Sequence, residues 1–229
     1  MFVKVCGVTN EEDALVAVGM GADAVGFNFV SGSPRQISPR LARDIVRRLP
    51  GGIVTVGVFR NELPERVVQI MDGAGLRLAQ LHGNEPAADC RWVAERVPGL
   101  IKAFVAGDPH VERVRDYGAS VLLLDGPSPG GGRVFDWRQL DGRDRGMRLL
   151  LAGGLRASNV AQAIELVRPW GVDVATGVES QPGHKDVLAL REFIAAAKEA
   201  GALYEGTGQS GGATVTAPAP GAPYDWRDD

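Results

Sequence analysis

Short apolar runs recur along this chain at even intervals, each stopped by glycine, proline, aspartate or asparagine. They fall at about 2–6 (FVKVC), 23–28 (DAVGFN), 53–59 (IVTVGVF), 77–81 (RLAQL), 99–104 (GLIKAF), 120–125 (SVLLLD), 148–152 (RLLLA) and 171–174 (GVDV). Nearly continuous apolar character over so few residues is the pattern of strands covered on both faces. The stretches between them carry helical spacing. Asn10 is placed to cap a helix bearing Ala14, Leu15 and Val18, with Glu11 and Glu12 in its electropositive first turn. Pro39, Pro64 and Pro86 stand where first-turn prolines are tolerated. Ser158 and Asn159 open a helix whose apolar face holds Val160, Ala163, Ile164 and Val167, and Pro169 closes it. A last helix, at about 186–199, sets Val187, Leu190, Phe193, Ile194 and Ala197 on one stripe. The sixth helix is the weak one: residues 136–146 are few and heavily charged, enough for a single turn.

Eight strand–helix alternations leave two architectures. An open doubly wound sheet rarely needs eight such even units, whereas a closed barrel requires them. The expectation is therefore an α/β chain folded as one (β/α)8 TIM barrel over residues 1–202. Residues 203–229 are rich in glycine, alanine, proline and threonine and lack apolar periodicity, which reads as a flexible tail ending in Tyr224-Asp225-Trp226.

Composition narrows the function. In 229 residues, 45% hydrophobic content supports a real core, and a net charge of −3 gives no general attraction to nucleic acid or an anionic membrane. Any small anionic substrate must be met by local donors. Two cysteines, Cys6 and Cys90, are too few for a disulfide scaffold and suit a reducing cytoplasm. No secretory signal and no run of membrane-spanning length is seen, so a soluble cytoplasmic enzyme is expected. His82, His110 and His184 lie in no metal-ligand spacing, and no metal is expected. Cys90, beside Trp92, reads as core, and Lys185 and Asp186 as start-of-helix residues.

In barrels of this kind the chemistry gathers at the carboxyl ends of the strands. There the sequence puts Cys6-Gly7-Val8-Thr9 after strand one, Ser33-Pro34-Arg35 beyond strand two, Gln80-Leu81-His82-Gly83 at strand four and Asp125 at strand six. Strands seven and eight lead to Gly153-Gly154 and Thr176-Gly177. Gly153-Gly154 and Gly177, followed by helix amino ends, point to a phosphate cradle; the alternative is that these glycines only make tight turns. Gly130-Gly131-Gly132 either adds amides or acts as a flap. Cys6 and Asp125 can face each other across the mouth as a base–acid pair; equally, a cysteine ending a buried strand serves as a small hydrophobe. Asp125 is harder to dismiss, because a carboxyl at the tip of a buried strand needs partners or a task.

The ordered segments KVCGVT (4–9), GFNFVSGSPRQIS (26–38), VGVFRN (56–61), QLHGNE (80–85), LLLDG (122–126), GGGRVFDW (130–137), LAGGL (151–155), NVAQAI (159–164) and VDVATGVESQPGHKD (172–186) resemble the phosphoribosylanthranilate isomerase family over about residues 2–200. The resemblance implies a cofactor-free Amadori rearrangement in tryptophan biosynthesis, acting on a small phosphorylated substrate as a monomer or homodimer. It makes Cys6 the general base and Asp125 the general acid. Arg35 becomes the clamp for the anthranilate carboxylate. From their placement at strand ends, Gly132, Gly153, Gly154, Thr176 and Gly177 are expected to contact substrate, and His82 either supports the site or is structural. Three departures stand out: a slightly short loop reading GGG at 130–132, Ala152 where serine is common, and Ala175-Thr176 where two serines are frequent. None removes a backbone amide at strands seven and eight. The histidine-pathway isomerase is expected to carry aspartate in place of Cys6 and a twofold repeat. Indole-glycerol-phosphate synthase is longer and needs a lysine and glutamate set not found here. A catalytically silent phosphate-binding barrel is the alternative from another class.

Overall fold

A computed structural model of the chain describes residues 1–126, 137 and 147–207. Eight parallel strands close into a barrel in chain order: β1 (Phe2–Cys6), β2 (Ala24–Asn28), β3 (Val54–Phe59), β4 (Leu78–Leu81), β5 (Leu100–Val105), β6 (Val121–Asp125), β7 (Arg148–Leu151) and β8 (Gly171–Val174). The seam is sealed by β1 on β8, with Lys4 opposite Asp173. Every strand falls on an apolar run expected from the sequence, because burial on both faces leaves each run nearly free of polar positions.

Alternation along each strand sorts these residues into two cores. Phe2, Ala24, Val54, Val56, Leu78, Ile101, Ala103, Val121, Leu123 and Leu150 fill the barrel. Val3, Val5, Val25, Phe27, Leu122, Leu124 and Val172 point outward to the helices. The same parity sends Lys4 and Cys6 inward beside each other, and sends Lys102 into the outer layer.

The outer ring holds α1 (Glu11–Gly19), α2 (Pro39–Val46), α3 (Pro64–Ala74), α4 (Ala87–Ala94), α5 (Ala157–Val167) and α6 (Val187–Thr207). Asn10 caps α1 by accepting from the Asp13 N–H, and Ser38 caps α2 ahead of Pro39 at its first position. Pro86 precedes α4 as its cap residue. Three details differ from expectation. α1 buries Ala14 and Ala17 and leaves Leu15 exposed, since its contact with the barrel is close enough to favour small side chains. α5 opens at Ala157 behind Arg156, with the Asn159 side chain accepting the Arg156 N–H. α6 starts one residue after its cap, Asp186, so Val187 faces solvent while Leu190, Phe193, Ile194 and Ala197 are buried. Each of those buried larger side chains is worth about 1.5–3 kcal/mol.

Between β5 and β6 the chain forms two short 3-10 turns across a kink at Arg113 (Pro109–Tyr117). Its buried residues Val111, Val114 and Tyr117 recur every third position, the repeat of a 3-10 face. The glycine run 130–132 and the expected turn at 136–146 lie outside the described residues, Trp137 excepted, as do residues 208–229.

After β8 the chain does not pass directly into a helix. A 3-10 turn (Thr176–Val178) leads into a hairpin of β9 (Glu179–Gln181) and β10 (His184–Lys185), turned at Pro182-Gly183. This hairpin is tied to the loop after β1, where the Thr9 hydroxyl donates to the Gly183 carbonyl at 2.5 Å.

Candidate active site

The carboxyl ends of the strands enclose a cavity of about 430 Å³. Cys6, Arg35, His82, Asp125, Gly153, Gly154, Thr176 and Gly177 all line it, so every expected site residue that is described reaches one space. Gly132 lies outside the described residues. Around the closed rim β6, β7, β8 and β1 are consecutive neighbours. The two glycine loops therefore sit between Asp125 and Cys6.

Those glycines have a packing cause. A Cβ on Gly153, whose φ is +93°, would lie 2.5 Å from the Gly126 nitrogen and 3.1 Å from Asp125 Oδ1. A Cβ on Gly177 would lie 1.9 Å from the Leu155 carbonyl oxygen. Side chains at either position would push apart the loops that end β6, β7 and β8. Close packing of these loops is what brings Gly153, Gly154, Thr176 and Gly177 together in the cavity wall.

Asp125 is nearly buried. One carboxylate oxygen accepts the Gly126 N–H at 2.7 Å, and the other lies 3.4 Å from His82 Nε2. The Gln80 amide nitrogen lies 2.9 Å from His82 Nδ1, while the buried His82 Nε2, on the Asp125 side, has no hydrogen-bond partner. Gln80 itself is buried in the cavity wall, and its Oε1 has no hydrogen-bond partner. His110 and His184 take no part: the first pairs with Asp108 at the surface and the second is exposed on β10.

Arg35 is already committed. Its Nε and Nη2 reach the two Glu179 oxygens at 2.8 and 2.7 Å, and Nη2 also donates to the Thr176 hydroxyl at 3.1 Å. One edge of its fork is thus held by an internal carboxylate. Glu179 in turn accepts from Lys185 Nζ at 3.0 Å, and Lys185 donates to the Cys6 carbonyl at 2.6 Å. Burial would raise the Glu179 carboxyl, but Arg35 and Lys185 more than reverse this and hold it low. Burial lowers the Lys185 ammonium despite Glu179. Lys185 is accordingly a buried cation bracing the residue that ends β1, and not the start-of-helix residue expected from its neighbour Asp186. Its signal was the Pro182-Gly183 turn just before it, which marks a hairpin ahead of the helix.

The two cysteines differ in kind. Cys90 is sealed in the outer core, where burial pushes its thiol up to about 11. Cys6 is half-buried and opens on the cavity. Burial also raises its thiol, opposed by Lys4 and Lys185 and assisted by Asp173. Among the described residues no cluster of three His, Cys, Asp or Glu side chains could hold a metal ion, and no helix is long and apolar enough to cross a membrane.

A family model described as N-(5'-phosphoribosyl)anthranilate isomerase matches residues 3–196. This chain belongs to that family. A family relative from Pelobacter propionicus is 48% identical over 202 residues, covering 86% of this chain and 95% of the relative. The crystal structure of the Thermotoga maritima family enzyme is 46% identical with a TM-score of 0.81, over 87% of this chain and 99% of that one. Another family structure, 44% identical with a TM-score of 0.77 and the same coverage, is a complex with reduced 1-(o-carboxyphenylamino)-1-deoxyribulose 5-phosphate. One Thermotoga maritima structure is described as derived from a dimeric enzyme. The chain is therefore an isomerase of tryptophan biosynthesis built on a TIM barrel.

Proposed function

We propose that this isomerase converts N-(5'-phosphoribosyl)anthranilate to 1-(2-carboxyphenylamino)-1-deoxyribulose 5-phosphate, with Asp125 as general acid and Cys6 as general base. The observation that carries the reading is the shared cavity: a thiol from β1 and a carboxyl from β6 line it, with the glycine loops between them. Phosphate seats on the amides around Gly153, Gly154, Thr176 and Gly177, which fixes the pentose between Asp125 and Cys6. Protonated Asp125 gives its proton to the furanose ring oxygen while the anthranilate nitrogen lone pair forms the C1'=N bond. The C1'–O bond breaks and a protonated Schiff base results. Cys6 thiolate takes the proton from C2', the electron pair forms C1'=C2' and the nitrogen becomes neutral. Tautomerisation of this enolamine gives the aminoketose. The substrate nitrogen is the electron sink, so the chemistry is balanced without a cofactor.

Arg35 meets the anthranilate carboxylate with the part of its guanidinium that Glu179 leaves open. His82 supports Asp125 across 3.4 Å.

The test is turnover of purified protein, followed by loss of fluorescence of the anthranilate adduct. Cys6→Ala and Asp125→Ala are each expected to lower kcat by roughly 100-fold or more while the protein stays folded. Near-normal turnover in either variant rejects the assignment. Arg35→Ala is expected to raise KM chiefly, and an effect confined to kcat would give Arg35 another role.

A further inference from the structure

Lys4 is completely buried in the barrel, where its ammonium reaches Asp173 Oδ1 at 2.8 Å. A charge held there costs several kcal/mol in desolvation, and an ion pair with one partner seldom repays it in stability. The position that Lys4 occupies gives a reason for the cost. Lys4 and Cys6 are two residues apart on β1 and point the same way. Gly26 on β2 lies opposite Cys6, and a Cβ there would sit 3.1 Å from Cys6 Sγ and 3.3 Å from Lys4 Cε. The lysine stem and the sulfur therefore share one gap, left open by the missing side chain of Gly26. Asp173 lines the same cavity as Cys6 from the neighbouring strand.

We propose that Lys4 is a positioning residue for catalysis, whose buried ammonium, anchored by Asp173 and packed in the same gap as the Cys6 sulfur, stabilises the anionic form of that sulfur against its burial. The proposal rests on the reading of Cys6 as general base. Among the described residues, the groups around Cys6 are these. Lys4 lies below it on β1, Asp173 beside it on β8, and Gly26 on β2 brings no charge. Lys185 on β10 donates to its carbonyl, and Glu179 and Arg35 stand behind Lys185. Of these, the two lysines favour the thiolate, while burial and Asp173 oppose it. Burial would also lower the Lys4 ammonium, but Asp173 and Cys6 outweigh it and the net direction is upward.

The test is the pH dependence of iodoacetamide alkylation at Cys6 in the full chain, read on the Cys6 peptide by mass spectrometry and set beside the pH dependence of kcat/KM. Lys4→Met is expected to slow alkylation at neutral pH about tenfold or more, with the onset moved to higher pH and the activity limb moved with it. Lys4→Arg keeps a buried charge at the position and is expected to hold the onset near the parent value. A raised onset in Lys4→Met beside a near-parent onset in Lys4→Arg supports the proposal, because mere loss of packing would not spare the charged variant. An unchanged onset in folded Lys4→Met, or an equal displacement in both variants, overturns it. If Lys4→Met does not fold, Lys4→Gln takes its place beside Lys4→Arg: a raised onset in Lys4→Gln alone supports the proposal and any other result rejects it. Cys6→Ala separates the two readings. Retained turnover there rejects Cys6 as base whatever the alkylation profiles do, whereas abolished turnover with an unmoved onset rejects the Lys4 role alone.

Discussion

At the scale of single residues, the site depends on neutral hydrogen bonds as well as on charges. Gln80 occupies Nδ1 of His82 and so turns Nε2 toward Asp125, 3.4 Å away, without a hydrogen bond between them. Gln80→Met keeps the length of the side chain and removes the donor, so either ring nitrogen can then carry the hydrogen. We expect kcat to fall by roughly tenfold, the scale of losing one positioned donor worth about 1–1.5 kcal/mol, with KM little changed. Steady-state kinetics decide this, and an unchanged kcat would reduce Gln80 to a packing residue. What the sequence made legible at this scale follows from burial. Asp125 and Cys6 stand at the tips of apolar runs, where a polar group must have a task or a partner, and Arg35 and His82 lie just past strand ends. Lys4, Asp173, Glu179 and Lys185 were not read as site residues, because their partners come from strands and hairpins far away in the chain. Lys4 had one local signal, a charge inside a strand covered on both faces.

Among elements, the loop after β4 is held by a second buried lysine. Parity turns Lys102 of β5 outward, where its ammonium donates to the Gly83 carbonyl and to Glu85 Oε2, each at 2.8 Å. Glu85 also accepts from the Asn61 and Gly83 N–H groups, so the pair ties the ends of β3, β4 and β5 together and fixes the loop that carries His82. Burial would raise the Glu85 carboxyl above its ordinary 4.5, but Lys102 and the backbone donors reverse this and hold it below. A depressed folded pKa means that the stabilisation is present above the unfolded value and is lost as pH falls through the folded one. Glu85→Gln is thus expected to cost about 3–5 kcal/mol at neutral pH, and to flatten the loss of stability on acidification. Denaturant melts at neutral and acidic pH measure both, and a variant as acid-sensitive as the parent would count against the assignment. The strands were legible to within about a residue because their runs are apolar on both faces. The helices were legible where caps and prolines mark them. The β9–β10 hairpin and the 3-10 segment Pro109–Tyr117 were not, since neither carries a period of 2 or 3.6.

For the whole molecule, the barrel divides labour between its two ends, and glycines near the two ends of β8 allow the division to be measured. Gly171 opens β8 at the closing seam. A Cβ there would lie 2.8 Å from the Phe2 carbonyl oxygen and 3.1 Å from Leu150 Cδ1, beneath the stacked Phe2 and Trp170 rings. Backbone cannot swing aside as a side chain can, so Gly171→Ala must shift β1 against β8. An overpacked position of this kind costs about 1–3 kcal/mol. At about 2–4 °C per kcal/mol for a chain of this size, Tm should fall by several degrees. The cavity lies at the other end of the strands and does not include Gly171, so kcat/KM below the transition should stay near the parent value. Gly177, just past the carboxyl end of β8, meets the Leu155 carbonyl oxygen with even less room. Gly177→Ala must therefore part the two loops proposed to hold phosphate, and KM should rise about tenfold or more, the effect of misplacing a backbone donor to a charged group worth about 1.5–3 kcal/mol. Thermal melts and steady-state kinetics on the two variants make the comparison. If Gly171→Ala damaged catalysis as much as Gly177→Ala, strain would be passing along the whole strand and the two ends would not be independent. If Gly177→Ala left KM unchanged, the glycines after β7 and β8 would serve loop packing alone, and the phosphate would have to be held elsewhere on the rim.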